Sequence, residues 1–183
     1  MSKAKVYGNA LYELGSEEGV ANKIAEEFEA IVNLLEGNQN FIKLLSNPRI
    51  STQERLEIVD DIFSNKTEPY LLSLLKILTE EREVSLYRQI FNEYQKKYYK
   101  ENNILLIRAI TAVSLDEEEK QKLVEKMERQ TGKTIILDNR IDASCIGGIR
   151  IEYDGHLIDA SIQNRFKNLE HILKNADYSQ AEV

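Results

Sequence analysis

Most of the means by which a chain is exported, cross-linked or loaded with a metal are scarce in these 183 residues. There is a single cysteine, Cys145, so no intramolecular disulfide can form, which fits a reducing compartment. Only two histidines occur, His156 and His171, and their separation matches no metal-ligand spacing. No apolar run approaches the ~18 residues that a membrane-spanning helix needs. The opening "MSKAKVYGNAL" lacks the apolar core of a signal peptide and the Arg- and Ser-rich character of a transit peptide. A basic excess is also missing. The net charge is -7, with 13 basic against 17 acidic residues up to Asn103 and 11 against 14 beyond it. Binders of nucleic acid or anionic lipid cluster Lys and Arg, so that balance argues against both.

What is present begins as helices. Tyr7, Ala10, Leu11 and Leu14 recur at helical spacing until "GSEEG" at 15–19 breaks the pattern. Val20, Ile24, Phe28, Ile31 and Leu35 carry a second helix to Gly37, and a short third spans Phe41 to Leu45. Pro48 disfavours helical geometry at Asn47. Ser51-x-x-Glu54 has the form of a capping box, opening a helix with Leu56, Val59, Ile62 and Phe63 on its apolar face. Thr67 is the expected cap of a fifth helix, with Pro69 tolerated in its first turn. That helix, "YLLSLLKIL" at 70–78, is apolar almost all round, so it should be buried on most sides or shared with a partner. A sixth, with Tyr87, Ile90, Phe91, Tyr94 and Tyr98, runs to about Lys100. "ENN" at 101–103 ends the helical half.

The second half alternates strands and helices. "NILLIRAITAV" at 103–113 is rich in β-branched residues and reads as a strand. Ser114-x-x-Glu117 suggests a capping box for a helix with Asp116 to Glu119 in its first turn and Lys126 and Arg129 near its end. Gly132 is the expected C-cap, and "TIILD" at 134–138 a second strand. Ile149, Ile151 and Tyr153 alternate with Arg150 and Glu152, Asp154-Gly155 is a two-residue hairpin turn, and "HLID" returns. Ile162, Phe166, Leu169, Ile172 and Leu173 make a last amphipathic helix before a polar tail. The expected class is α+β: a six-helix bundle over 1–103, then a small α/β domain over 104–176 with a hairpin-containing sheet and two helices, and a tail at 177–183.

Catalytic constellations are hard to assemble from this chain. "TGKT" at 131–134 resembles the end of a phosphate loop, but the residue five before Gly132 is Met127 rather than glycine. The fragment also follows a helix and opens a strand, the reverse of the phosphate-loop order. Gly147-Gly148 lacks the dinucleotide-fingerprint spacing and precedes a strand, where it allows a bulge or close backbone approach. Cys145 has no CxxC partner and reads as a small buried side chain. Neither a cofactor nor a metal is expected.

"IGGIRIEYDGHLIDASIQNRFKNL" at 146–169 resembles the C-terminal signature of the delta subunit family of bacterial F-type ATP synthases, whose mitochondrial counterpart is the oligomycin-sensitivity-conferring protein. "VYGNALYELGSEEG" is similar to the family's first helix, and "FIKLLSNPRIS" to the segment leading into its fourth. The signature positions here are Gly147, Gly148, Asp154, Gly155 and Asp159, and Cys145 departs from the family where a larger aliphatic residue is expected.

The resemblance implies a non-catalytic stator subunit at the cytoplasmic face of a bacterial membrane. Its helical domain would grip N-terminal segments of the alpha subunits, and its C-terminal domain would engage the C-termini of the peripheral-stalk b subunits. The first and fifth helices would then form a groove, with Tyr7, Ala10, Leu11 and Leu14 as one wall and Leu71, Leu75 and Leu78 as the other. Ile162, Phe166, Leu169 and Ile172 would face the b subunits. Two other readings compete: a stand-alone helical adaptor, and a nucleotide-binding enzyme using residues 131–134.

Overall fold

The computed structural model describes residues 2–145 and 147–159. The chain divides into two compact units between Glu101 and Asn102. The first unit holds α1 (Lys3–Glu17), α2 (Ala21–Gly37), α3 (Gln39–Leu45), α4 (Thr52–Phe63), α5 (Pro69–Glu80), a 3-10 turn at Val84–Leu86, and α6 (Tyr87–Glu101).

Helix α1 buries Ala4, Gly8, Leu11, Tyr12 and Gly15, one face at three- and four-residue spacing. Against it lie Ile24, Phe28, Ile31, Val32 and Leu35 of α2 and Tyr87, Ile90, Phe91 and Tyr94 of α6. Gly8 sets how closely α1 and α6 approach. A Cβ there would sit 2.8 Å from both the carbonyl oxygen of Ile90 and the amide nitrogen of Tyr94. The expected break at Gly15 does not occur, because Gly15 is buried against the Ile24 side chain and the helix runs on to Glu17. Gly19, at φ +70°, makes the turn instead.

The Ser51 and Glu54 capping box opens α4 as expected, with both reciprocal bonds formed. Helix α5 departs from expectation. Its N-cap is Glu68 rather than Thr67, and no side chain caps it. The Glu68 N–H instead donates to the Glu27 carboxylate at 2.6 Å, so α5 begins on a tie to α2.

The second unit has β1 (Ile104–Thr111), α7 (Glu117–Thr131), β2 (Thr134–Ile141), β3 (Ile149–Tyr153) and β4 (His156–Asp159). The sheet order is β2-β1-β3-β4. The pair β1 and β2 is parallel, with α7 as the crossover, and the remaining pairs are antiparallel. Leu105, Ile107, Ile135 and Ile151 face Met127 of α7, with Leu123 and Val124 packed alongside. The described residues therefore make an α+β protein with seven α-helices and a four-stranded sheet.

Helix α7 is capped by Asp116 with Glu119, not by Ser114 with Glu117. The Asn139 side chain explains the shift. It accepts the Leu115 N–H at 2.9 Å and donates to the Ala109 carbonyl and the Thr111 hydroxyl, which holds the β1–α7 loop extended as far as Leu115. Gly132 ends α7 in the left-handed conformation, and Asp154 and Gly155 both take the positive φ of the hairpin turn. The last amphipathic helix expected from Ile162 onward lies outside the described residues.

Candidate functional site

Helices α1 and α5 are packed neighbours and run antiparallel. At one end, Lys3 at the start of α1 pairs with Glu83 just past α5 at 2.6 Å. At the other, the Glu18 carboxylate following α1 lies beside Tyr70 in the first turn of α5 and pushes the Tyr70 hydroxyl above the usual tyrosine range, with Glu68 and Glu17 adding to the effect.

The surface of this pair carries apolar side chains at positions where a helix surface is normally polar. On α1, Val6, Ala10 and Leu14 recur every four residues and all are exposed, Val6 to 49% and Leu14 to 44%. On α5 the outward positions are Ser73, Ile77 and Glu80, with Ile77 exposed to 41%. Side chains four apart share one helix face, so α1 offers a short apolar strip, and α5 adds the single apolar side chain of Ile77 between Ser73 and Glu80.

Of the seven expected groove residues, two are exposed on this surface and a third is half-buried. Ala10 and Leu14 are exposed and Tyr7 is half-buried, whereas Leu11 is inside the bundle. The α5 wall is different. Leu71, Leu75 and Leu78 are at 0%, 5% and 0% exposure, part of the core that faces away from solvent. A helix with that many leucines needs most of them for its own bundle, and here α5 turns Leu71, Leu74, Leu75 and Leu78 inward together. The large apolar side chain that α5 does expose is Ile77. It falls among Ser73, Lys76 and Glu80 on the polar arc, and an apolar residue inside a polar arc is the signal for it.

In the second unit the sheet face opposite α7 carries a ladder of charges. Arg108 lies between Asp138 on β2 at 3.4 Å and Glu152 on β3 at 3.5 Å. Arg140 also reaches Asp138 at 3.0 Å, and Arg150 faces Asp159 at 3.9 Å. The guanidinium of Arg140, then that of Arg108, holds the Asp138 carboxyl below the usual carboxylate range. Three arginines and three acids compensate one another, so this face presents no net charge to a ligand.

The remaining motif residues carry no assembled chemistry. Lys133 follows the α7 cap, its N–H donates to the Thr131 hydroxyl, and Thr134 opens β2, so the helix-to-strand order read from "TGKT" is the observed one. Gly147 and Gly148 lead into β3, with Gly148 at φ +85°, and Asp159 closes β4. Cys145 is buried, and His156 is exposed beside the Tyr153 ring. His171 and the expected contact residues Ile162, Phe166, Leu169 and Ile172 lie outside the described residues. Among the described residues, no three His, Cys, Asp or Glu side chains gather as a metal site would require.

Comparison with known proteins gives one consistent answer. The sequence model of the family described as ATP synthase delta (OSCP) subunit matches residues 4–173. The ATP synthase subunit delta of Clostridium botulinum (strain Loch Maree / Type A3) is 30% identical over 167 residues, covering 91% of this chain and 93% of the relative. The subunit delta of Clostridium perfringens (strain SM101 / Type A) is 30% identical over the same shares. In fold, the chain is similar to one in the Toxoplasma gondii mitochondrial ATP synthase hexamer, with a TM-score of 0.73 at 18% identity, covering 94% of this chain and 98% of that one.

Proposed function

The chain belongs to the ATP synthase delta (OSCP) subunit family, and from that premise we propose that it is a non-catalytic part of the peripheral stalk of an F-type ATP synthase. It holds the catalytic head to the stalk so that the head does not turn with the rotor. The first unit grips N-terminal helical segments of the alpha subunits, and the second engages the C-termini of the b subunits. The subunit sits at the cytoplasmic face of the membrane through the complex. Among the described residues no helix is long and apolar enough to cross a membrane.

One observation carries this reading: the exposed apolar strip formed by Val6, Ala10 and Leu14 on α1 with Ile77 on the packed, antiparallel α5. Such a strip suits the apolar face of a helix laid along it, the helix-in-groove mode. Ala10 lets that helix come close, and Leu14 and Ile77 bury side chains against it. This is a task for interface area and stiffness rather than for a perturbed acid or base. Two linked units that bind two parts of one complex also gain through effective concentration, so neither contact needs to be tight alone.

Titrating the full chain with a peptide of the first ~25 residues of the same organism's alpha subunit, long enough for a helix of several turns, tests the contact. Saturable binding that Leu14→Asp and Ile77→Asp each abolish, with the melting temperature unchanged, is the expected result. Absence of binding up to about 100 μM, equivalent to only ~5.5 kcal/mol of affinity, would overturn the alpha-subunit assignment.

A further inference from the structure

Helices α4 and α7 each start on a reciprocal box made within one turn. The glutamate at the third helical position, Glu54 or Glu119, accepts the N–H of the capping residue. Helix α5 has no such means. Its first position is Pro69, its third is the fully buried Leu71, and the Glu68 side chain makes no cap bond. The acceptor comes from another helix instead, because the Glu27 carboxylate on α2 takes the Glu68 N–H at 2.6 Å. Lys23, one turn before Glu27, lies 3.9 Å from Glu27 and 3.4 Å from the Glu68 carboxylate and closes the junction. The box of α5 is thus completed from across the bundle.

The buried face of α5 does not by itself fix where the helix stands along its axis. Its inward residues include Leu71, Leu74, Leu75 and Leu78. Shifted by four residues, Leu71 takes the place of Leu75 and Leu74 that of Leu78. Apolar contacts are non-directional, so such a face tolerates a slip of one turn, about 5.4 Å, that a directional hydrogen bond does not. Lys3 with Glu83, Lys76 with Asp60 and Tyr70 with Glu18 also tie α5 to its neighbours, but each pair includes an exposed side chain. The Glu27 and Glu68 side chains are only 20% and 12% exposed, so water competes least at their junction. Register matters on the outward side, where α5 contributes the one large apolar side chain of Ile77. A one-turn slip puts Ser73 or Glu81 in its place.

We propose that Glu27 is a positioning residue for the docking surface: by capping α5 from α2, it fixes the register that sets Ile77 alongside Val6, Ala10 and Leu14. The proposal rests on the docking of an alpha-subunit segment on that strip. It also gives a reason for the unused Thr67. A cap from Thr67 would start the helix equally well, but it would leave the helix free to slide, whereas a polar tie to a second helix specifies one alignment.

The test uses the full chain and the same alpha-subunit peptide. Glu27→Ala should weaken binding by about 3- to 10-fold, as expected when the competent register falls to between roughly a tenth and a third of the population. Glu27→Gln keeps an acceptor for the Glu68 N–H and should restore most of the affinity. Arg55→Ala is the stability control, since it loosens α3 and α4 and leaves the junction in place. Well below its melting temperature it should bind as the wild type does. Adding Glu68→Ser to Glu27→Ala recaps α5 within its own sequence, so the melting temperature should recover while the affinity does not. If Glu27→Ala does not fold, Glu27→Asp, with the same charge and one methylene less reach, takes its place. Wild-type affinity in the Glu27 variant, or recovery of affinity with Glu68→Ser, would overturn the positioning role and leave the docking assignment intact. A matching loss in Arg55→Ala would do the same, by showing that any destabilised unit binds poorly. No binding by the wild-type chain would overturn both.

Discussion

The Tyr94 hydroxyl on α6 donates to the backbone carbonyl of Ala21, the first residue of α2, at 2.7 Å. Seventy-three residues separate the pair in sequence. The bond is made from inside an aromatic cluster, with the Tyr12 ring edge-on to Tyr94 at 5.9 Å and Phe28 at 6.2 Å. Burial, and then the neighbouring tyrosines Tyr98 and Tyr12, push the Tyr94 hydroxyl far above the usual tyrosine range.

Two outcomes are expected of Tyr94→Phe. Chemical denaturation at neutral pH should show a loss of about 1–2 kcal/mol, the usual cost of removing one partner from a buried bond. The pH dependence should also change. The folded-state pKa lies above the unfolded value of 10.0, so the contribution is complete below that pH and is lost as pH rises above it. The wild type should lose stability above about pH 10 more steeply than Tyr94→Phe. Parallel alkaline profiles would sink this account.

Gly8→Ala should cost about 2 kcal/mol or more, as overpacking does, because the added methyl meets backbone on α6 rather than a side chain that can turn away. Gly37 is the matched control, with nothing within 4 Å of its added Cβ. Gly37→Ala should be neutral or stabilising by up to about 1 kcal/mol. Thermal melts of the two variants side by side decide the matter.

Arg55 is fully buried, donating to the Leu45 carbonyl at 3.1 Å and the Thr52 hydroxyl at 2.9 Å, so it joins the end of α3 to the start of α4. Arg55→Ala should lose about 2–4 kcal/mol, from the space left and from the orphaned Leu45 carbonyl. Amide exchange should rise first in α3. If exchange rises evenly over the unit, the side chain is filling volume and is not a clamp.

The two faces of α5 should separate binding from folding. Leu78→Ala, at a fully buried position, should cost about 2–5 kcal/mol of stability. Ile77→Asp should leave stability within about 0.5 kcal/mol, as exposed substitutions do, and abolish binding of the alpha-subunit peptide. Equal effects of both variants on melting would place Ile77 in the core.

Helix existence, the Ser51 box, the Asp154-Gly155 turn and the Gly132 cap were legible because each is set by residues within one turn of one another. The misplaced caps show where that locality ends. Thr67 and Ser114 are good capping residues, but a distant group decided each case. Glu27 holds the start of α5, and Asn139 holds the loop before α7. Gly8 and Arg55 were unreadable for the same reason, since one answers to a backbone on another helix and the other to a carbonyl ten residues earlier. Half of the proposed site was visible as periodicity on α1. The α5 half was not, because a helix rich in leucine does not say which leucines its own bundle will claim.

The pairing of α1 with α6 has a consequence for synthesis. Helix α1 has its widest contact with the last helix of the unit, made much later in synthesis, bridged by Lys97 and Glu13 and closed at Gly8. Until residue 101 has emerged, the buried face of α1 has no α6 to cover it, and Val6, Ala10 and Leu14 add an apolar strip to its outward side. Nascent α1 is therefore sticky on both sides for the time taken to add ~85 residues, roughly 4–17 s at bacterial elongation rates. The surface proposed for docking is an aggregation hazard in the half-made chain, and the unit becomes safe only when its two ends meet.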